Sequence, residues 1–155
     1  LGIILLSVTW LALASIISLE HGQYLVLLAM AIIILADVGG YIAGNLFGKH
    51  KLAPTISPGK TWEGLIGGIF LQVVLIVGLI FFIADLNWLN LCLLVFPVAL
   101  SSVIGDLFES MLKRHRGIKD SSNLLPGHGG FLDRLDGVMA ALPLFFVILF
   151  KASPF

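Results

Sequence analysis

The 155 residues are 59% hydrophobic and only 12% charged, with a mean hydropathy of +1.08. Soluble domains carry about a quarter charged residues, so an ordinary water-soluble fold is excluded and a membrane class is indicated. The formal net charge is zero and names no partner by itself; nucleic acid is not expected. The single cysteine, Cys92, excludes an internal disulfide.

Five apolar runs approach the length of about 20 residues that a helix needs to cross a bilayer core. They cover residues 1–19, 23–47, 64–84, 88–112 and 131–150. None alternates strictly, and only helices or closed barrels can satisfy their backbone in lipid, so all five are read as helices. The expectation is an all-α, polytopic integral membrane protein with about five transmembrane helices. They form a single transmembrane catalytic domain over residues 1–155. No basic segment precedes the first run, so it is read as a membrane helix rather than a signal peptide.

In chain order, the first run is apolar all round, and Glu20, His21 and Gly22 form a short turn. The second changes character at Asp37, with Gly40, Gly44 and Gly48 recurring every four residues as a ridge for close helix packing. Asp37, Gly40, Tyr41 and Gly44 share that side. The segment 49–63 is read as a loop, because Pro54, Pro58 and Gly59 break helix and strand alike. Thr61 can cap the third helix, which carries Gly64 and Gly68 on a second close-packing face. The fourth run contains Pro97 and turns polar from Ser101 onward. The fifth is expected to open at Phe131.

Between the last two runs lies a dense polar stretch, residues 110–137. Asp106, Glu109, Ser110 and Lys113 lead into it as one helical stripe. A helix end emerging into water accounts for Lys113 and Arg114. It accounts poorly for Asp106, two turns further in, where an ionisable group is costly and marks a functional site. Asp133 and Asp136 fall on the first turns expected for the fifth helix, where the dipole favours acids in any case. Together with Asp106 and Asp37, however, they make a carboxylate cluster, which needs a cation among its members. Mg²⁺, with its preference for hard oxygen ligands, suits it. Asp106 with Asp133 is the expected metal pair; Asp136 is either a further ligand or a fixing group for Lys and Arg.

Lys113, Arg114 and Lys119 suit phosphate oxygens, and lipid headgroups could occupy them equally. Gly127, Gly129 and Gly130 lead toward a helix N-terminus, an arrangement that suits phosphate, although no Walker A loop occurs. His128 reads equally as a structural histidine or a nucleotide contact. Lys60 is a candidate for substrate phosphate. With five spans, Lys49, Lys51, Lys60, Lys113, Arg114, Arg116, Lys119 and Arg134 share one face and only Lys151 lies on the other. By the positive-inside rule that face is cytoplasmic.

The pattern Ser110-x-Leu112-Lys113-Arg114, Lys119-Asp120 and Pro126-x-His128-Gly129-Gly130-Phe131-x-Asp133-Arg134-Leu135-Asp136 resembles the signature of the phosphatidate cytidylyltransferases, or CDP-diacylglycerol synthases. The stretches from Asp37 to His50 and from Ser57 to Gly64 are similar too, so the resemblance covers about residues 35–140. It implies an integral membrane enzyme, in a bacterial inner membrane or its equivalent, with its active site facing the cytoplasm. The reaction would convert CTP and phosphatidic acid to CDP-diacylglycerol and pyrophosphate. Mg²⁺ would be required, and K⁺ beside it and a homodimer are compatible with the resemblance. Asp106, Asp133, Asp136, Lys113, Arg114 and Lys119 would be catalytic. Lys60, Ser110, Lys119, Asp120, His128, Gly129, Gly130 and Arg134 would hold the nucleotide. Full-length members carry more N-terminal helices, so the chain is expected to be a C-terminal catalytic part. A CTP-dependent polyprenol or phytol kinase is the nearest alternative, and a transporter with buried carboxylates is the alternative of another class.

Overall fold

The computed structural model describes residues 2–83, 86–118, 121, 130, 133 and 135–152. Helices occupy all five apolar runs: α1 (Gly2–Ile17), α2 (Gly22–Phe47), α3 (Trp62–Phe82), α4 (Trp88–His115) and α5 (Asp136–Ala152). An antiparallel hairpin of β1 (Lys51–Ala53) and β2 (Ser57–Thr61) stands between α2 and α3.

At about 1.5 Å per residue, a hydrocarbon layer of about 30 Å needs some 20 helical residues. With 26, 21 and 28 residues, α2, α3 and α4 are long and apolar enough to cross it. The 16 residues of α1 and 17 of α5 are shorter. Outward-facing side chains are largely apolar, with Phe81 84% and Phe82 82% exposed. Water would penalise such a surface and a lipid bilayer accommodates it, so the chain is a helical membrane protein.

The helix ends follow local chemistry. Thr61 caps α3: its Oγ1 accepts from the Gly64 N–H at 3.1 Å. Asn87 caps α4, its Oδ1 accepting from the amides of Leu89 (3.0 Å) and Asn90 (3.3 Å). Lys113, Arg114 and His115 occupy the last turn of α4, where the helix dipole favours cations. Gly117 then takes a positive φ of 68° and ends the helix.

Two local expectations are corrected. The segment 49–63 contains a hairpin, pairing Lys51 with Thr61 and Ala53 with Ser57. A two-stranded sheet has only edge strands, where a proline such as Pro58 need not remove a ladder bond; Pro54 lies in the turn. Helix α5 begins at Asp136 rather than Phe131. Ahead of it, the Asp133 carboxylate accepts the amides of Ser121 (2.9 Å) and Gly130 (2.7 Å). The bond to the Gly130 amide runs back three residues, as in a capping box, and the bonds to Ser121 and Lys113 anchor Asp133 outside α5.

Helices α2 and α3 touch backbone to backbone. A Cβ at Gly39 would stand 2.6 Å from the Gly67 carbonyl oxygen, and one at Gly64 would stand 2.7 Å from that of Gly40. The spacing of small residues in the sequence anticipated this face. Deeper in the same interface, fully buried Gln72 donates from Nε2 to the Ile32 carbonyl at 2.8 Å. Helix α4 is joined to α5 by Ser101 Oγ donating to the Ala140 carbonyl (2.9 Å). Ile32 of α2, Leu91, Leu94 and Val98 of α4, and Leu142 and Phe145 of α5 are all at most 1% exposed and form the core. This packing brings one end of α2, the hairpin, the polar half of α4 and the start of α5 together.

Candidate active site

Asp106 is the centre of that meeting point. It projects from α4 toward β2, where Lys60 Nζ donates to its Oδ2 at 2.8 Å and to the Val103 carbonyl at 3.3 Å. The pair is partly shielded, with side chains 26% and 19% exposed. Asp136, the first residue of α5, brings its carboxyl within hydrogen-bonding reach of Asp106. Its Oδ1 also accepts the Gly137 N–H at 2.8 Å. Asp37, two and a half turns before the end of α2, is close enough to feel both Asp106 and Lys60 electrostatically. Four elements thus contribute three carboxylates and one ammonium to one cluster.

Two glycines allow this approach. A Cβ at Gly105 would stand 2.7 Å from the Asp136 carbonyl oxygen. A Cβ at Gly137 would stand 3.1 Å from Asp106 Oδ1 and 3.2 Å from Ser102 Oγ. Ser102 is fully buried, and its hydroxyl has no hydrogen-bond partner among the described residues. An unpaired acceptor and a carboxylate oxygen therefore converge on a cradle that any larger residue at position 137 would fill.

A second cluster adjoins the first. Lys113, two turns beyond Asp106, donates from Nζ to Asp133 Oδ1 at 2.7 Å and lies 3.4 Å from Glu109 Oε1. Asp133 also accepts from Ser121 Oγ (3.0 Å), in addition to the two backbone amides. Burial by itself would raise the Asp133 carboxyl, but hydrogen bonds from Lys113, Ser121 and Gly130 outweigh it and hold the group well below the usual carboxylate range. Of the expected metal pair, then, Asp106 faces Asp136, while Asp133 is engaged with Lys113.

The other sequence-derived candidates are distributed around these clusters. Exposed Arg114 donates from Nε to the Ile56 carbonyl at 3.4 Å, linking the end of α4 to the hairpin turn. Ser110 is half-buried one turn beyond Asp106, and Gly130 is buried against Asp133. Lys119, Asp120, Gly127, His128, Gly129 and Arg134 lie outside the described residues. Sequence reasoning did not single out Ser102, Gly105 or the packing role of Gly137. The available signal was the run of small residues at Ser101, Ser102 and Gly105 immediately before Asp106, a close-packing pattern like the one recognised on α2.

Beside the first cluster opens a cavity of about 560 Å³ between α2, the hairpin, α3 and α4. Asp37, Tyr41 and Lys60 give it a polar edge, and Ile69, Phe96 and Leu100 give it an apolar depth. A polar edge over an apolar hollow suits an amphiphile.

Taken together, an apolar helical bundle with paired carboxylates, lysines and an amphiphilic cavity at one end has the arrangement of an integral membrane protein with a polar site. The chain belongs to the cytidylyltransferase family, which it matches over residues 1–151. It is 48% identical over 130 residues to the phosphatidate cytidylyltransferase of Haemophilus influenzae, covering 81% of this chain and 45% of that protein. To the phosphatidate cytidylyltransferase of Staphylococcus haemolyticus it is 46% identical over 135 residues, covering 85% and 51%. To that of Pseudomonas aeruginosa it is 46% identical over 159 aligned positions, covering 99% and 57%. The chain spans about half the length of these curated relatives.

Proposed function

We propose that the chain carries the catalytic site of an enzyme transferring the cytidylyl group of CTP to phosphatidic acid. A phosphate oxygen of the lipid attacks the α-phosphorus of CTP. The bond from that phosphorus to the bridging oxygen breaks, and pyrophosphate leaves with its electron pair. The nucleophile is already anionic at neutral pH, so no general base is obligatory. Catalysis then rests on positioning two polyanions and neutralising their charge. The relatives' names supply the substrate class, and the Asp106–Asp136 pair with its lysine is the observation that carries the reading.

The residues fit a divalent metal. Asp106 and Asp136 present hard oxygens to each other, and the Ser102 hydroxyl and the Gly137 cradle lie alongside. Asp106 and Asp136 would hold Mg²⁺ with waters and substrate phosphates, while Asp133, bonded to Lys113, Ser121 and Gly130, would stand beside them. When bound, the ion supplies charge neutralisation at phosphate oxygens. Lys60 and Lys113 would steady the phosphate groups as point charges, and Arg114 at the outer edge would meet the departing pyrophosphate. The cavity beside Lys60 would keep the acyl chains in apolar surroundings while the lipid phosphate reaches the acids. The excess of Lys and Arg at this end of the bundle supports a site facing the cytoplasm, where CTP is available.

The test is pyrophosphate release from CTP and phosphatidic acid by the intact protein in detergent micelles, with and without Mg²⁺. Asp106→Ala and Asp136→Ala are expected to lower turnover by about 100-fold or more, the scale of losing one electrostatic stabiliser. Turnover retained within a few-fold by both folded variants would remove the pair from the mechanism. Consumption of CTP with dolichol but not with phosphatidic acid would make the enzyme a lipid kinase instead.

A further inference from the structure

We propose that Lys60 is a displaceable counter-ion: it neutralises Asp106 in the ligand-free protein and yields that oxygen when a divalent cation arrives. The inference rests on the Mg²⁺ reading above and assigns Lys60 a role before any nucleotide is bound.

Charge balance is the first argument. Asp37, Asp106 and Asp136 converge from three helices, and Lys60 is the ammonium inserted among them. Carboxylates this close repel one another unless a cation compensates, and in a partly desolvated site screening is weak. Lys113 is committed elsewhere, bonded to Asp133 and paired with Glu109. Among the described residues, Lys60 therefore carries the compensation at Asp106.

Mobility of the side chain is the second. Thr61, the next residue, is 4% exposed and caps α3, so the backbone at this point is held. The lysine stem itself borders the 560 Å³ cavity. A flexible four-carbon chain with a point charge can swing into such a space, whereas a guanidinium fork bound to a carboxylate would be held by its planar geometry. Lys60 engages Oδ2 of Asp106, while Oδ1 faces the Gly137 cradle and the unpaired Ser102 hydroxyl. One oxygen of the same carboxylate is thus occupied by an internal cation and the other lies close to Gly137 and to an unpaired hydroxyl.

Competition follows from linkage. If the ammonium and a divalent cation contend for Asp106, each weakens the other's hold by the same factor. A lysine that served only as a phosphate contact would affect nucleotide binding without raising the affinity of the nucleotide-free protein for the metal. In the competitive case, the cation releases Lys60 at the moment when phosphate oxygens arrive to receive it.

The experiment is Mg²⁺ binding to the intact, nucleotide-free protein in micelles by titration calorimetry, comparing wild type with Lys60→Gln and with the exposed-cation control Arg116→Gln. Lys60→Gln should bind Mg²⁺ on the order of 10-fold more tightly, a usual size for coupling between ligands. Arg116→Gln should shift affinity less than about twofold, because an exposed charge is screened. Lys60→Arg, which keeps the charge and grips the carboxylate more rigidly, should bind Mg²⁺ more weakly than wild type and serves if Lys60→Gln does not fold. Equal or weaker binding by Lys60→Gln, or tighter binding by Lys60→Arg, would overturn the counter-ion role and leave the Mg²⁺ site standing. No Mg²⁺ binding by wild type or variants would overturn both.

Discussion

Gly105 of α4 lies directly against the Asp136 carbonyl at the start of α5, where a Cβ would come within 2.7 Å of both that oxygen and Ala140 Cβ. The contact allows the carboxyls of Asp106 and Asp136 to meet. Gly105→Ala gains up to about 1 kcal/mol in helix propensity. Overpacking against a backbone atom typically costs about 1–3 kcal/mol, so a modest net loss of stability is expected. Turnover should fall by about 10-fold or more, since misplacement of about 1 Å is costly at a preorganised site. Melting temperature and pyrophosphate release measured on the same preparation separate the two effects. Full turnover in a folded variant would reduce Gly105 to a packing residue.

The α2–α3 contact predicts a contrast between two glycines. Gly39→Ala would push a methyl group to 2.6 Å from the Gly67 carbonyl oxygen, while Gly78→Ala meets nothing within 4 Å. The first should destabilise the protein by about 1–3 kcal/mol. The second should be neutral or stabilise it by up to about 1 kcal/mol. Denaturation midpoints in micelles test the pair, and equal midpoints would contradict the close helix crossing.

Gln72 offers a test of polar clamping inside the membrane. Its Nε2 bonds the Ile32 carbonyl at 2.8 Å, but its Oε1 has no partner among the described residues. Interhelical hydrogen bonds in membranes contribute about 0.6 kcal/mol on average, and an unpaired buried acceptor offsets such a gain. Gln72→Leu should therefore change stability by less than about 1 kcal/mol. Gln72→Ala should cost about 2 kcal/mol or more through the cavity it leaves. A large loss in Gln72→Leu would mean that the amide contributes more than its one observed bond.

The pH behaviour of Asp133 has a definite sign. Its folded-state carboxyl is held below the ordinary value by Lys113 and by the Ser121 and Gly130 amides, despite burial. Its stabilising contribution is thus complete above the unfolded value of about 3.9 and is lost as pH falls through the lower folded value. The melting-temperature difference between wild type and Asp133→Asn, measured without metal, should stay constant from about pH 8 to pH 5 and shrink only below about pH 4. A difference that disappears between pH 8 and pH 5 would contradict the observed hydrogen bonding.

Much of the architecture was legible because lipid imposes strong periodic constraints. Apolar length located all five helices, and the glycine spacing on α2 and α3 located their contact. Thr61 announced its cap by residue type alone. The hairpin was not legible, because prolines that normally exclude strands are tolerated where no further strand must pair. The start of α5 was misread because apolar length alone does not mark a helix boundary: Asp133, inside the apolar run, is bonded to Lys113, Ser121 and Gly130 ahead of the helix. At the site, spacing identified the acids and cations individually, but partner choice depends on distances between helices.

By itself, the sequence determined a helical membrane protein with a polar centre near Asp106. Composition and local spacing suffice for that, since both act through the chain's immediate neighbours. Only the tertiary structure decided that Asp106 faces Asp136 across two glycines, that Lys113 holds Asp133, and that Lys60 reaches Asp106 from a hairpin. Those pairings join residues between 20 and 46 positions apart, and they exist because helix packing, not sequence proximity, fixes which charged groups share one desolvated space.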